Sequence, residues 1–209
     1  MAIKESSDEL NAAVVNADPV LQLPRVDRSA KDYLALAIGT CGVGYLPIAP
    51  GTWGSLVGVG IYLLLQVLTA SLLQLFPPDS SARLLWFPVS IAVELVVITI
   101  IILAGIWAAS RTEKLMGRKD PGKVVIDEVA GQLIALLPLM PRLYPGWVSV
   151  IILFAFLLFR LFDIVKPYPA RRLESLESGL GIMADDVVAG AYAAVVTSII
   201  IVVRIFVIG

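Results

Sequence analysis

Two pairs of adjacent carboxylates stand at the entrances to apolar runs. Asp127 and Glu128 open "IDEVAGQLIALLPLM" (126–140), and Asp185 and Asp186 sit in "GLGIMADDVVAG" (179–190). A fifth acid, Asp163, lies in "FRLFDIVKP" (159–167), where Arg160, Asp163 and Lys166 are spaced i, i+3, i+6. The chain has no histidine and one cysteine, Cys41. Zinc and softer metals therefore lack their usual ligands, whereas an all-oxygen set of Asp127, Glu128, Asp163, Asp185 and Asp186 suits Mg²⁺. Beside it, Arg160 can fork two phosphate oxygens and Lys166 can add point charge. Each residue alone has a plainer role. Carboxylates in a first helical turn complement the helix dipole, and an Arg–Asp pair with a snorkelling Lys is ordinary at a membrane surface. Capping explains two acids per helix poorly when hydrocarbon is next door, since an ionised Asp costs about 2.5–3.5 kcal/mol at a bilayer centre and less near its edge.

The elements that must carry these residues belong to a membrane. Of 209 residues, 58% are hydrophobic and the mean hydropathy is +0.89, far above the globular norm. The net charge of −1 leaves no electrostatic footprint for nucleic acid. Residues 1–32 are polar and mixed in charge, with no signal-peptide apolar region, and read as a cytosolic tail. Residues 33–209 read as a membrane-embedded, all-α helical bundle. Runs of spanning length cover 55–76, 84–109, 144–162 and 187–208, and 124–140 is a shorter fifth. A Gly- and Pro-broken apolar piece over 33–51 predicts a partly buried or re-entrant segment. The loops 110–123 and 163–181 are rich in Lys and Arg, whereas the sparse loops hold Arg83 and Arg142. The positive-inside rule puts both rich loops in the cytosol, which requires 124–140 to cross. The expectation is five crossings, N-terminus in and C-terminus out.

That topology gathers every unusual polar cluster at one membrane face, including "APGTWGS" (49–55) ahead of the first span. There Thr52 or Ser55 can cap the helix, whose start would offer N–H groups to an anion. Lys119 and Asp120 of "RKDPGK" can join the group. "DEVAG" (127–131) and "DVVAG" (186–190) align Asp127 with Asp186 and Ala-Gly with Ala-Gly. Small residues one turn in let two membrane helices approach closely, which would bring both acid pairs to one point. Glu94, near mid-span, is remote from this layer and reads as protonated or hydrogen-bonded between helices. Arg204 reads as a snorkelling residue. A divalent-cation transporter or channel is the alternative use of such acids, but a conduction path calls for polar groups at mid-depth.

Among phosphate chemistries, a cysteine phosphatase is excluded because Pro47, not Arg, stands six residues after Cys41, and a histidine nucleophile is absent. No Asp-Gly-x-x-Ala-Arg stretch is present. Metal-assisted attack remains. At this point four motifs, "GYLPIAPGTWGS", "KDPGKVVIDEVAG", "FRLFDIVKPYPARRLE" and "GLGIMADDVVAG", closely resemble the bacterial phosphatidylglycerophosphatase A family over residues 34–200. The resemblance implies an inner-membrane phosphatase with its site on the cytosolic side. It would hydrolyse the terminal phosphate of phosphatidylglycerophosphate with Mg²⁺, giving phosphatidylglycerol and phosphate. The family's motif positions fall on Asp127, Glu128, Arg160, Asp163, Lys166, Asp185 and Asp186. On this reading Asp127, Glu128, Asp163 and Asp186 are catalytic. Asp127, Glu128, Asp163, Asp185 and Asp186 hold metal, and Arg160, Lys166, Thr52, Ser55 and Lys119 meet the lipid substrate.

Overall fold

A computed structural model describes residues 28–77, 86–139 and 146–208. Its helices are α1 (Ala30–Thr40), α2 (Pro50–Leu73), α3 (Trp86–Met116), α4 (Ile126–Leu136), α5 (Val148–Val165), α6 (Ala170–Leu173) and α7 (Ser178–Ile208), with a 3₁₀ turn at Val43–Tyr45. There are no strands among the described residues. The all-α membrane bundle is as the sequence implies. The broken piece over 33–51 is α1, the 3₁₀ turn and a sharp entry into α2 at Ala49 and Pro50. Of the assigned tail, 1–27 lie outside the described residues. The rest already belongs to the fold, because Asp32 accepts from Ser29 at the start of α1 and pairs with Arg111 of α3 at 2.6 Å.

Four helices, not five, are long and apolar enough to span: α2, α3, α5 and α7. The expected fifth span is thus not a spanning helix. α4 has 11 residues, about 16 Å of helix, and it ends two residues before Pro138, as the backbone preceding a proline favours. Where the four long helices turn Leu, Ile and Val outward, α4 is buried all round, with Val129, Ala130, Ala135 and Leu136 fully covered. It is a core helix inside the bundle. The chain still descends after it. Tyr62 of α2 donates to the Leu139 carbonyl at 3.0 Å, and Arg204, near the end of α7, stacks on Trp147 ahead of α5 at 4.4 Å. Arg204 thus stacks on an aromatic ring rather than simply snorkelling. Both basic loops accordingly meet at one end of the bundle, as the charge pattern requires. Arg83 and Arg142 lie outside the described residues.

α4 packs most extensively on α7 and then on α2. Glycines make both contacts possible. A Cβ at Gly190 would overlap the Gly131 carbonyl, and one at Gly131 would lie 2.7 Å from the Asp186 carbonyl. On the α2 side, a Cβ at Gly58 would come within 2.9 Å of Gln132 Cβ. The two VAG repeats therefore meet backbone to backbone, as their small residues imply.

Overpacking at that crossing should be costly. Gly190→Val is expected to destabilise the protein by about 1–3 kcal/mol or more, read as a lowered Tm in detergent. Gly60→Ala, where an added Cβ meets nothing within 4 Å, should leave Tm unchanged or raise it.

Candidate active site

The close α4–α7 crossing sets one carboxylate pair beside the other. One oxygen from each of Asp127, Glu128 and Asp186 lies within 4.8 Å of the others. Asp127 and Glu128 occupy the first turn of α4, as expected. Asp185 and Asp186 do not begin their helix. α7 starts at Ser178, about two turns earlier, so helix capping does not account for that pair.

The trio faces a cavity of about 490 Å³ at the end of the bundle where the basic loops meet. Arg160, Asp163, Lys166, Asp185, Lys119 and Asp120 also line it. The structure thus brings nine of the eleven sequence-predicted polar residues to one cavity, from four separate chain segments. Thr52 and Ser55 are the exceptions. Ser55 is fully buried, and its hydroxyl donates to the Gly51 carbonyl at 3.0 Å inside α2. Thr52 does not line the cavity, and its backbone N–H turns back to Ala49 O at 2.9 Å. Pro50 has no N–H to give. The segment contributes instead through Ala49, Pro50 and Gly51, and Gly51 is so close to Glu128 that any side chain there would strike the carboxylate.

The acids divide by partner. Asp163 Oδ2 lies 2.6 Å from Arg160 Nη1, a close ion pair without hydrogen-bond alignment. Asp185 Oδ2 accepts from Lys166 Nζ at 2.8 Å, and Glu174 Oε2 is 3.3 Å from the same ammonium. Lys166 is therefore matched by two acids and is not a free phosphate ligand in this arrangement. Burial works against its charge, but the hydrogen bond to Asp185 and the charges of Asp185 and Glu174 prevail and raise its pKa. The trio has no such relief. Burial first, and then the charges of Glu128 and Asp186, hold Asp127 well above the usual carboxylate range. Burial likewise raises Glu128, although a hydrogen bond with Asp127 and the Arg160 charge offset part of that. Asp127 Oδ1 and Glu128 Oε2 are buried and have no hydrogen-bond partner.

Glu174 is the site residue that sequence reasoning passed over. It stands in the quoted "PARRLE", but only the fold shows that it reaches Lys166. Glu94 is buried on α3 and accepts from Gln66 Nε2 of α2 at 2.6 Å, the interhelical bond expected of it.

Fold and site together define an integral membrane protein with a cavity lined by acids and cations at one end of its bundle. A family model described as Phosphatidylglycerophosphatase A matches residues 37–201. A Phosphatidylglycerophosphatase A of Haemophilus influenzae is 40% identical over 162 residues, covering 77% of this chain and 83% of that protein. One from Escherichia coli K12 is 34% identical over 160 residues, covering 76% and 77%. A Bacteroides thetaiotaomicron protein, described as "Putative phosphatidylinositol-3-phosphatase", is 39% identical over 168 residues, covering 80% and 93%. No solved structure matches. The chain belongs to the phosphatidylglycerophosphatase A family, and is a phosphoric monoester hydrolase rather than a cation transporter.

The raised Asp127 value has a signed consequence for the metal-free protein. Its contribution to stability is fully present below the unfolded pKa and is lost as pH rises through the higher folded one. Asp127→Asn should therefore raise the metal-free Tm at pH 8. The gain should shrink on acidification. Thermal unfolding in EDTA at pH 5 and pH 8 measures it.

Proposed function

We propose that the protein hydrolyses the terminal phosphate of phosphatidylglycerophosphate in a Mg²⁺-dependent reaction, at the cytosolic face of a bacterial inner membrane. The observation that carries this reading is the trio of Asp127, Glu128 and Asp186, with buried, partnerless oxygens on Asp127 and Glu128, in a cavity that Arg160, Lys166 and Lys119 also line. The residues fit the ion. Buried carboxylates with unmet lone pairs form a hard, all-oxygen donor set of the kind Mg²⁺ takes. Asp127, Glu128 and Asp186 would hold it, with Asp163 and Asp185 at the edge of the set. When bound, the ion supplies Lewis acidity toward the phosphoryl oxygens.

The remaining work belongs to the chain. Arg160, held by Asp163, presents a guanidinium beside the trio and neutralises phosphate charge. Lys119 adds an exposed cation at the cavity wall. Lys166 engages Asp185 and orders the wall through Glu174. Pro50 and Gly51 close the floor next to Glu128. Water adds to phosphorus, the P–O bond to the glycerol oxygen breaks, and that oxygen takes up a proton given up by the water, so that the lipid leaves as an alcohol and the phosphoryl group as inorganic phosphate. The substrate reaches the cavity by lateral diffusion with its acyl chains in the bilayer. The printed name of the Bacteroides thetaiotaomicron relative supports a second headgroup as a comparison, phosphatidylinositol 3-phosphate.

Phosphate release by purified protein in detergent tests this directly. Expected is Mg²⁺-dependent release from phosphatidylglycerophosphate, abolished by EDTA. Asp127→Asn and Asp186→Asn should each lower kcat/KM by about 100-fold or more. Asp185→Asn, whose partner is Lys166, should lose less. Preferred turnover of phosphatidylinositol 3-phosphate would reassign the headgroup, and release that survives EDTA would refute the metal.

A further inference from the structure

A second depression lies outside the active site, on the face of α3. It has a volume of about 370 Å³ and is lined by Leu103, Ile106, Trp107, Ser110, Arg111 and Lys114. Its two flanks are fixed. On one, Gly179 at the start of α7 donates its N–H to Ser110 Oγ at 3.0 Å and packs so close that an added Cβ would overlap the Ile106 carbonyl. On the other, Asp32 of α1 holds Arg111 Nε at 2.6 Å. The space between them is open. Leu103 is 63% exposed and Trp107 40%.

The lining changes character at one level. The apolar run of α3 ends at Ala109, and the polar stretch "SRTEK" begins at Ser110. Leu103, Ile106 and Trp107 fall on the hydrocarbon side of that break; Ser110, Arg111 and Lys114 fall on the headgroup side. A Trp at such a boundary sits where an aromatic belt residue belongs. The charge count is equally definite. Of the two cations that line the depression, Arg111 is offset by Asp32; Glu113, the nearest acid in sequence, does not line it and accepts from Ser178 Oγ at 2.6 Å. Among the described residues no carboxylate pairs with Lys114. The depression therefore carries one uncompensated positive charge directly above an apolar floor.

We propose that this depression is a binding site for an anionic phospholipid of the surrounding bilayer. An acyl chain lies against Leu103, Ile106 and Trp107, and the phosphodiester is held by Lys114 with the exposed side of Arg111. The amphiphile's single negative charge matches the single positive charge, and its polar–apolar junction matches the break at Ala109–Ser110. A zwitterionic lipid would satisfy the apolar floor equally but would gain nothing from Lys114. This site takes no part in the hydrolysis proposed above and stands independently of it.

Trp107 is a built-in reporter. The protein is reconstituted into phosphatidylcholine bilayers containing a minor fraction of phosphatidylglycerol. Bromine-labelled acyl chains are placed on one lipid or the other. Subtracting the signal of Trp107→Phe removes the contributions of Trp53, Trp86 and Trp147. Expected is quenching of Trp107 by brominated phosphatidylglycerol about five-fold above its share of the bilayer, from one Lys near anionic lipid. The excess should fall with added salt and disappear in Lys114→Gln and Lys114→Glu, with phosphatase activity retained. Quenching in proportion to bilayer composition, or an excess unchanged in both Lys114 variants, would overturn the proposal. Circular dichroism and retained activity confirm that the variants are folded.

Discussion

The approach of α4 to α7 at Gly131 and Gly190 is the constraint on which the site depends. Two helices whose backbones touch can place first- or third-turn side chains within a few ångströms of each other; two helices separated by Leu or Val cannot. Inside a bilayer no hydrophobic drive holds helices together, so packing of small residues takes its place. The glycine face of α2 repeats the device from the other side of α4. A short, wholly buried helix is thus clasped between two spanning helices, and its N-terminal acids are delivered beside Asp186. The absence of side chains at Gly51, Gly54 and Gly58 is as much a part of the site as the carboxylates.

The same closeness creates the electrostatic problem that gives the site its character. Five acids meet at the edge of hydrocarbon with fewer cations than they need. Asp163 is answered by Arg160, and Asp185 by Lys166, which also answers Glu174. Asp127, Glu128 and Asp186 are left facing one another. Buried like charges cannot all ionise without a counter-charge. The arrangement therefore stores an unmet demand for positive charge at one point, a demand that a divalent ion, a proton or a substrate's own counter-ion can meet. A scaffold that tolerates this must be stable elsewhere, and the apolar core around Tyr62, Val129, Leu133, Ile151 and Met183 provides that stability.

Beyond the membrane boundary, α3 and α7 run further than their apolar stretches. α3 continues to Met116, and α7 begins at Ser178. These extensions hold α1 through the Arg111–Asp32 pair and carry the wall from which Lys119, Asp120 and Glu174 surround the cavity. The candidate site consequently lies below a collar of polar structure, within reach of a headgroup yet level with helix segments that are still apolar outside.

Sequence alone determined the class of fold, the four long spans and the identity of most of the charged residues. Long apolar runs have no soluble alternative, and adjacent acids beside hydrocarbon need a reason beyond solvation. The VAG repeats even signalled which two helices would touch, because only small residues permit that contact. Sequence did not decide how α4 crosses: 17 mostly apolar residues from 124 to 140 read equally as a thin span or as a buried helix, and the choice rests on what surrounds them. Nor could it distinguish Ser55, which turns its hydroxyl into its own helix, from Gly51, which lies against Glu128. The division of the acids into paired and unpaired sets came only from tertiary structure. Lys166 reaches Asp185 and Glu174 across a chain reversal, and no spacing along the chain encodes which of several nearby carboxylates an ammonium will meet.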